Sequence, residues 1–181
     1  MKVTETNLKG CFIIEPQVFV DKRGYFFESF HKEKFQQLTN IEVDFLQDNE
    51  AFSNRGVVRG LHFQKGQYAQ AKLIRVVKGK VLDIVVDLRS GSKTFGKHFS
   101  IILSEENKKQ LFVPRGFAHG YAVLEDNTLF SYKCDNYYNK ESEGGVIYND
   151  KDLQIDWMLE ENEIQLSEKD KNLKTFSNIT I

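Results

Sequence analysis

Short apolar or alternating runs, none longer than a β-strand needs, recur along the whole chain: GCFIIEPQVFV, VDFLQ, GVVRGLHF, AKLIRVV, KVLDIVVDL, HFSIIL, QLFV, HGYAVL and TLFSYK. The connections between them are short and carry Gly, Asn, Asp or Lys. A period of two is the signature of a half-buried strand, whereas a helix needs apolar residues three and four apart over ten or more positions. Helical pattern is confined to FESFHKEKFQQL (27–38), one turn in SEENKKQ (104–110) and a charged C-terminal segment. Many short strands without long helices predict an all-β sandwich or jelly-roll barrel whose interior can hold a ligand, with a few short peripheral helices. The valine pairs around Lys78-Gly79-Lys80 read as a hairpin turning on Gly79.

A chain of 181 residues is long enough to bury a sizeable core and fits one domain, taken as residues 1–181. With 25 basic against 26 acidic side chains there is no field of the kind that binds nucleic acid, so any basic site is local. The one short apolar run near the start is broken by Glu15 and Pro16, and no stretch of about 18 apolar residues exists to span a membrane. A cytoplasmic location is expected. Cys11 and Cys134 have no partner spacing for zinc or redox chemistry and read as two small buried residues.

Against this background His62, set in the apolar run GVVRGLHFQ (56–64), admits three readings: a core histidine, a metal ligand or a catalytic base. Six positions separate it from Gly56, and PRGFAHGY (114–121) places His119 in the frame P-x-G-x-x-H. This pair of frames resembles the two motifs of the cupin superfamily. In metal-binding cupins the first frame reads H-x-H with a later Glu, because a divalent ion wants three or four converging N/O ligands. Here it reads His62-Phe63-Gln64, no Glu follows until Glu105, and His31 and His98 lie far from either frame. A site without metal or other cofactor is expected.

Arg59, Lys72, Arg75, Asp83, His119, Tyr121 and Tyr132 also fall in strand-like segments, where a buried charge is costly unless paired or used. Strict alternation puts Arg59 on the face opposite His62; a bulge at Gly60 would turn both inward.

The segments DKRGYFFESF, QDN (47–49), RGLHFQ, YAQAKLIRVVKGKVLDIVVDLR, LSEENKKQLFVPRGFAHGYAVLED, SYKCDNYY, ESEGG with YND, and LSEKD together resemble the dTDP-4-dehydrorhamnose 3,5-epimerase family over most of residues 21–170. The resemblance implies a cupin-type jelly roll, and a substrate, dTDP-4-dehydro-6-deoxy-D-glucose, whose C4 ketone acidifies the C–H bonds at C3 and C5. It implies His62 as base with Asp170 orienting it, Lys72 as the cation facing the enolate oxygen, and Tyr132 as acid on the opposite face. It further implies Arg23 and Arg59 on the diphosphate, polar contacts from Glu28, Gln47, Asp48, Asn49, Glu143 and Lys169, stacking of Tyr138 on thymine with Phe26 nearby, and a substrate contact from His119, which Asp83 could hold. By the same resemblance the N-terminal strands cross to a second copy, so Arg23, Phe26 and Glu28 complete the neighbour's site in a homodimer. Three other readings stay open: an epimerase of C3 or C5 alone, a metal-dependent cupin enzyme, and a non-catalytic sugar-binding barrel.

Overall fold

The computed structural model describes residues 1–180. Its strands run β1 (Lys2–Glu5), β2 (Phe12–Glu15), β3 (Phe19–Asp21) and β4 (Gly24–Phe26); after helix α1 (Lys32–Thr39) come β5 (Gln47–Ser53), β6 (Val58–Gln64), β7 (Lys72–Lys78) and β8 (Lys80–Asp87). Next follow β9 (His98–Ser104), β10 (Gln110–Val113), β11 (Phe117–Val123), β12 (Thr128–Cys134), β13 (Glu143–Gly145) and the single-turn helix α2 (Glu168–Lys171). Six strands form one antiparallel sheet in the order β1-β2-β10-β7-β12-β5, and five form a second in the order β13-β6-β11-β8-β9. This is the jelly-roll architecture expected, as two facing sheets rather than one ladder closed into a cylinder. Among the described residues no helix is long and apolar enough to cross a membrane.

Alternation along the strands divides the core into three layers. Ile74 and Val76 of β7, Val81 and Val85 of β8, Tyr121 and Val123 of β11 and Phe130 of β12 meet between the sheets. The opposite parity of β8 and β11 is buried too: Leu82, Ile84, Val86, Ala118 and Ala122 pack under Trp157, Leu153 and other residues of the C-terminal segment. Both strands are therefore apolar on two faces, which explains their unbroken hydrophobic runs. On the outer face of the other sheet, Leu73, Phe112 and Ile14 pack against Phe35 of α1. Burying a side chain of that size stabilises by about 1.5–3 kcal/mol, enough to hold a two-turn helix that would not form alone.

Several elements depart from the sequence expectation. Lys78-Gly79-Lys80 does not make a hairpin, because β7 pairs with β10 and β12 while β8 pairs with β9 and β11. Gly79 is instead the corner where the chain leaves one sheet for the other. Its φ is +80°, and a Cβ there would lie 2.3 Å from the Thr128 hydroxyl. The run VDFLQ stays irregular up to Gln47, since Val43 and Phe45 are drawn onto α1 rather than into a ladder. Helix α1 starts at Lys32, not at residue 27, because the His31 ring accepts from the Lys34 N–H and caps it. SEENKKQ forms a turn between β9 and β10, and the charged C-terminal segment contributes only α2 and short 3-10 turns. That segment is nonetheless docked: Val146 bridges Lys174, and the Phe176 N–H donates to Asp150. Cys11 and Cys134 are free and buried, as expected.

Candidate active site

The inward face that is apolar at one end of the sheets turns polar at the other. Inward parity aims Gln47 and Asn49 of β5, Lys72 of β7, His119 and Tyr121 of β11 and Tyr132 of β12 into a cavity of about 560 Å³. On β6 the alternation is reset. Arg59 faces Tyr121 and His62 faces His119 across the β6–β11 ladder, so Gly60 and Leu61 together oppose a single residue, Gly120. This is the bulge expected at Gly60, and it brings Arg59 and His62 into the same cavity while Val58 and Leu61 pack outward. Only glycine fits there: φ is +112°, and a Cβ would meet the Gly120 Cα and the His119 carbonyl at 2.7 Å.

His62 Nε2 lies 2.7 Å from Asp170 Oδ1, an ion-pair contact without the alignment of a full hydrogen bond. Its Nδ1 has no hydrogen-bond partner among the described residues and is 4.0 Å from Glu143 Oε1. Asp170 is buried, which pushes its carboxyl up, but the contacts with His62 and Ser167 outweigh burial and hold it below the ordinary carboxylate value. It is an anion at neutral pH, held against the imidazole.

Lys72 projects from the opposite sheet, its Nζ 5.6 Å from the centre of the Tyr132 ring. Burial pushes the ammonium pKa down, and the smaller Coulombic influences of Cys134, Asp83 and Glu143 act in the opposite direction. Burial pushes the Tyr132 phenol up to about 12, so it is a proton donor and not a phenolate at neutral pH. Deeper in, His119 Nε2 and Asp83 Oδ2 are 2.9 Å apart, both buried. Burial raises the Asp83 carboxyl more than His119 and Lys72 lower it, and Asp83 Oδ1 finds no partner among the described residues. The Tyr121 ring stacks on Phe130 with centroids 3.9 Å apart.

At the mouth, Tyr138 donates to Glu143 at 3.1 Å, and Glu143 pairs with Lys169. All three line the cavity with Arg59. Four residues named from the sequence lie elsewhere. Asp48 has the outward parity of β5 and pairs with Lys133. Arg23 pairs with Asp21, Phe26 is 66% exposed, and Glu28 pairs with Lys34, all outside this chain's cavity. Gln64, Gln70, Tyr121 and Ser167 line the cavity without having been assigned to it. Gln64 shares the parity of His62, a signal that alternation alone supplies.

The donor set bears on the metal question. Gln64 stands where a metal-binding frame has its second histidine, and its amide is engaged by the Tyr68 and Tyr137 carbonyls and the Asn139 N–H. Among the described residues no three His, Cys, Asp or Glu side chains converge as a ligand set.

The family profile described as dTDP-4-dehydrorhamnose 3,5-epimerase matches residues 5–178. The Escherichia coli K12 protein of that name is 45% identical over 99% of this chain and 96% of its own length. The crystal structure of the dTDP-4-dehydrorhamnose 3,5-epimerase of Elizabethkingia anophelis NUHP1 superposes with a TM-score of 0.95 at 56% identity, covering 98% of this chain and 97% of the other. The Legionella pneumophila Philadelphia 1 enzyme, solved in complex with dTDP-4-keto-L-rhamnose, also reaches a TM-score of 0.95, at 45% identity over 99% of this chain and 94% of its own. With the match running nearly from end to end, this chain belongs to the dTDP-4-dehydrorhamnose 3,5-epimerase family.

Proposed function

We propose that the protein inverts C3 and C5 of dTDP-4-dehydro-6-deoxy-D-glucose to give dTDP-4-dehydro-L-rhamnose, by proton abstraction and return, in the cytoplasm. The observation that carries this reading is the meeting, in one cavity, of a carboxylate-backed histidine from one sheet with a lysine and a neutral tyrosine from the other. The C4 ketone lowers the barrier to breaking the neighbouring C–H bonds. His62 takes the proton, Asp170 stabilises the resulting imidazolium, and Lys72 balances the charge that develops on O4. Tyr132 returns a proton from the far face, which is what inverts the centre. Arg59 grips the diphosphate and Tyr138 the base, with Gln47, Asn49, Glu143, Lys169 and His119 as polar contacts to the nucleotide sugar.

Incubation with the 4-keto sugar nucleotide in deuterated water tests the reaction. Deuterium is expected at both C3 and C5 of an L-configured product by NMR; incorporation at one carbon with retention at the other would make the protein a single-centre epimerase.

Exposed apolar residues on β3 and β4 support a homodimer with exchanged strands. The hairpin pairs with neither sheet, and Val20 and Phe26 are 78% and 66% exposed. Two strands alone are marginally stable in water, so this hairpin needs a surface to lie on. On this reading Arg23, Phe26 and Glu28 reach a second copy's cavity, and Asp48 lies on the edge strand β5 beside it. Co-refolding Arg23→Ala chains with His62→Ala chains should restore activity that neither has alone, because one site of the mixed dimer is intact. No restoration would place Arg23 outside the neighbour's site.

A further inference from the structure

We propose that Ser167 is a positioning residue for the reaction, fixing Asp170 in the one orientation that serves His62. The inference rests on the reading of His62 as the base. Ser167 caps α2, and its Oγ accepts from the Asp170 N–H at 3.1 Å. With a lone pair so engaged, the hydroxyl hydrogen is directed at Asp170 Oδ2, 2.7 Å away. The second carboxylate oxygen, Oδ1, is the one 2.7 Å from His62 Nε2, and it has no aligned donor of its own. One side chain therefore holds both the backbone and one oxygen of Asp170, and leaves the other oxygen for the imidazole.

The single bond about which a carboxylate turns is soft, and among the described residues the Ser167 hydroxyl supplies the aligned hydrogen bond that the Asp170 carboxylate accepts. Turned away, Oδ1 would no longer meet the imidazolium as it forms. The hydroxyl also contributes to holding the carboxyl below its ordinary value, so that the charge is present when the proton arrives. Ser167 acts on His62 through Asp170, with which both of its hydrogen bonds are made.

The test is turnover of the 4-keto sugar nucleotide by Ser167→Ala, Ser167→Thr, Asp170→Asn and the double variant Ser167→Ala/Asp170→Asn. Losing a hydrogen bond to a charged group should lower kcat roughly 10- to 100-fold in Ser167→Ala. KM and the Kd for dTDP should stay within about twofold, and Thr, which keeps the hydroxyl, should restore most of the rate. In the Asp170→Asn background the serine should no longer matter, because the carboxylate it positions is gone. An equal loss in both backgrounds, a loss carried by KM, or failure of Thr to rescue would reduce Ser167 to a helix cap. Melting curves separate that outcome from general unfolding. If His62 is not the base, Asp170→Asn itself will turn over near the wild-type rate; slow Asp170→Asn with fast Ser167→Ala overturns only the serine.

Discussion

His62→Ala is expected to abolish epimerisation and deuterium uptake together, at C3 and at C5. Without a base neither C–H bond breaks at a useful rate, and general acid–base groups contribute ~10² to 10⁴ in rate. Tyr132→Phe should separate the two halves of the reaction. His62, Asp170 and Lys72 remain, so the proton still leaves; what is lost is the hydroxyl, held protonated by a pKa of about 12, that returns it from the far face. The expected outcome is residual exchange with retained configuration, or incomplete inversion, most visible at C5. NMR of the sugar protons in deuterated water reads both quantities in one sample. Wild-type exchange in His62→Ala would return that residue to a core histidine, and wild-type inversion at both centres in Tyr132→Phe would remove the tyrosine from catalysis.

Gly60→Ala is expected to damage fold and site at once. The added methyl would sit 2.7 Å from backbone atoms of β11 at a φ of +112°, and neither the Gly120 Cα nor the His119 carbonyl can move without disturbing both sheets' shared core. Strain of this kind costs about 3 kcal/mol, which for a chain of this size lowers Tm by roughly 10 °C. Chains that still fold should show weakened dTDP binding, since Arg59 and His62 share the cavity only through the bulge that Gly60 allows. A Tm within about 2 °C of wild type in a thermal melt, with dTDP affinity retained, would show that the strand accommodates the methyl.

The strand pattern was readable because alternation is a local property: β6 to β12 coincide closely with the apolar runs in the sequence. Which strands pair is not local, and there the reading of Gly79 went astray. A glycine between two valine-rich runs looks the same whether the chain folds back on itself or crosses to another sheet, and only the partner at Thr128 distinguishes them. Within the site, His62, Lys72, Tyr132 and Asp170 were named by resemblance to a family, with alternation as support. Alternation applied strictly would have separated Asp48 from Gln47 and Asn49, and would have added Gln64 and Tyr121. Ser167 left a signal of its own, since Ser-x-x-Asp ahead of a helical turn is a capping pattern; its reach toward His62 depends on a tail that no periodicity could dock.

The change of the sheet interior from apolar to polar along the same strands sets the site and the stability of the protein against each other. Every inward position given to Lys72, Asp83, His119 or Tyr132 is one that Val85, Ile74 or Phe130 a few residues away fills with packed hydrocarbon. Buried polar groups with an orphaned oxygen, as at Asp83, are less stabilising than well-packed apolar ones of similar volume, and an open cavity adds nothing. Substitutions toward a more rigid, heat-resistant chain would close this end first, trading the cavity and its chemistry for packed core.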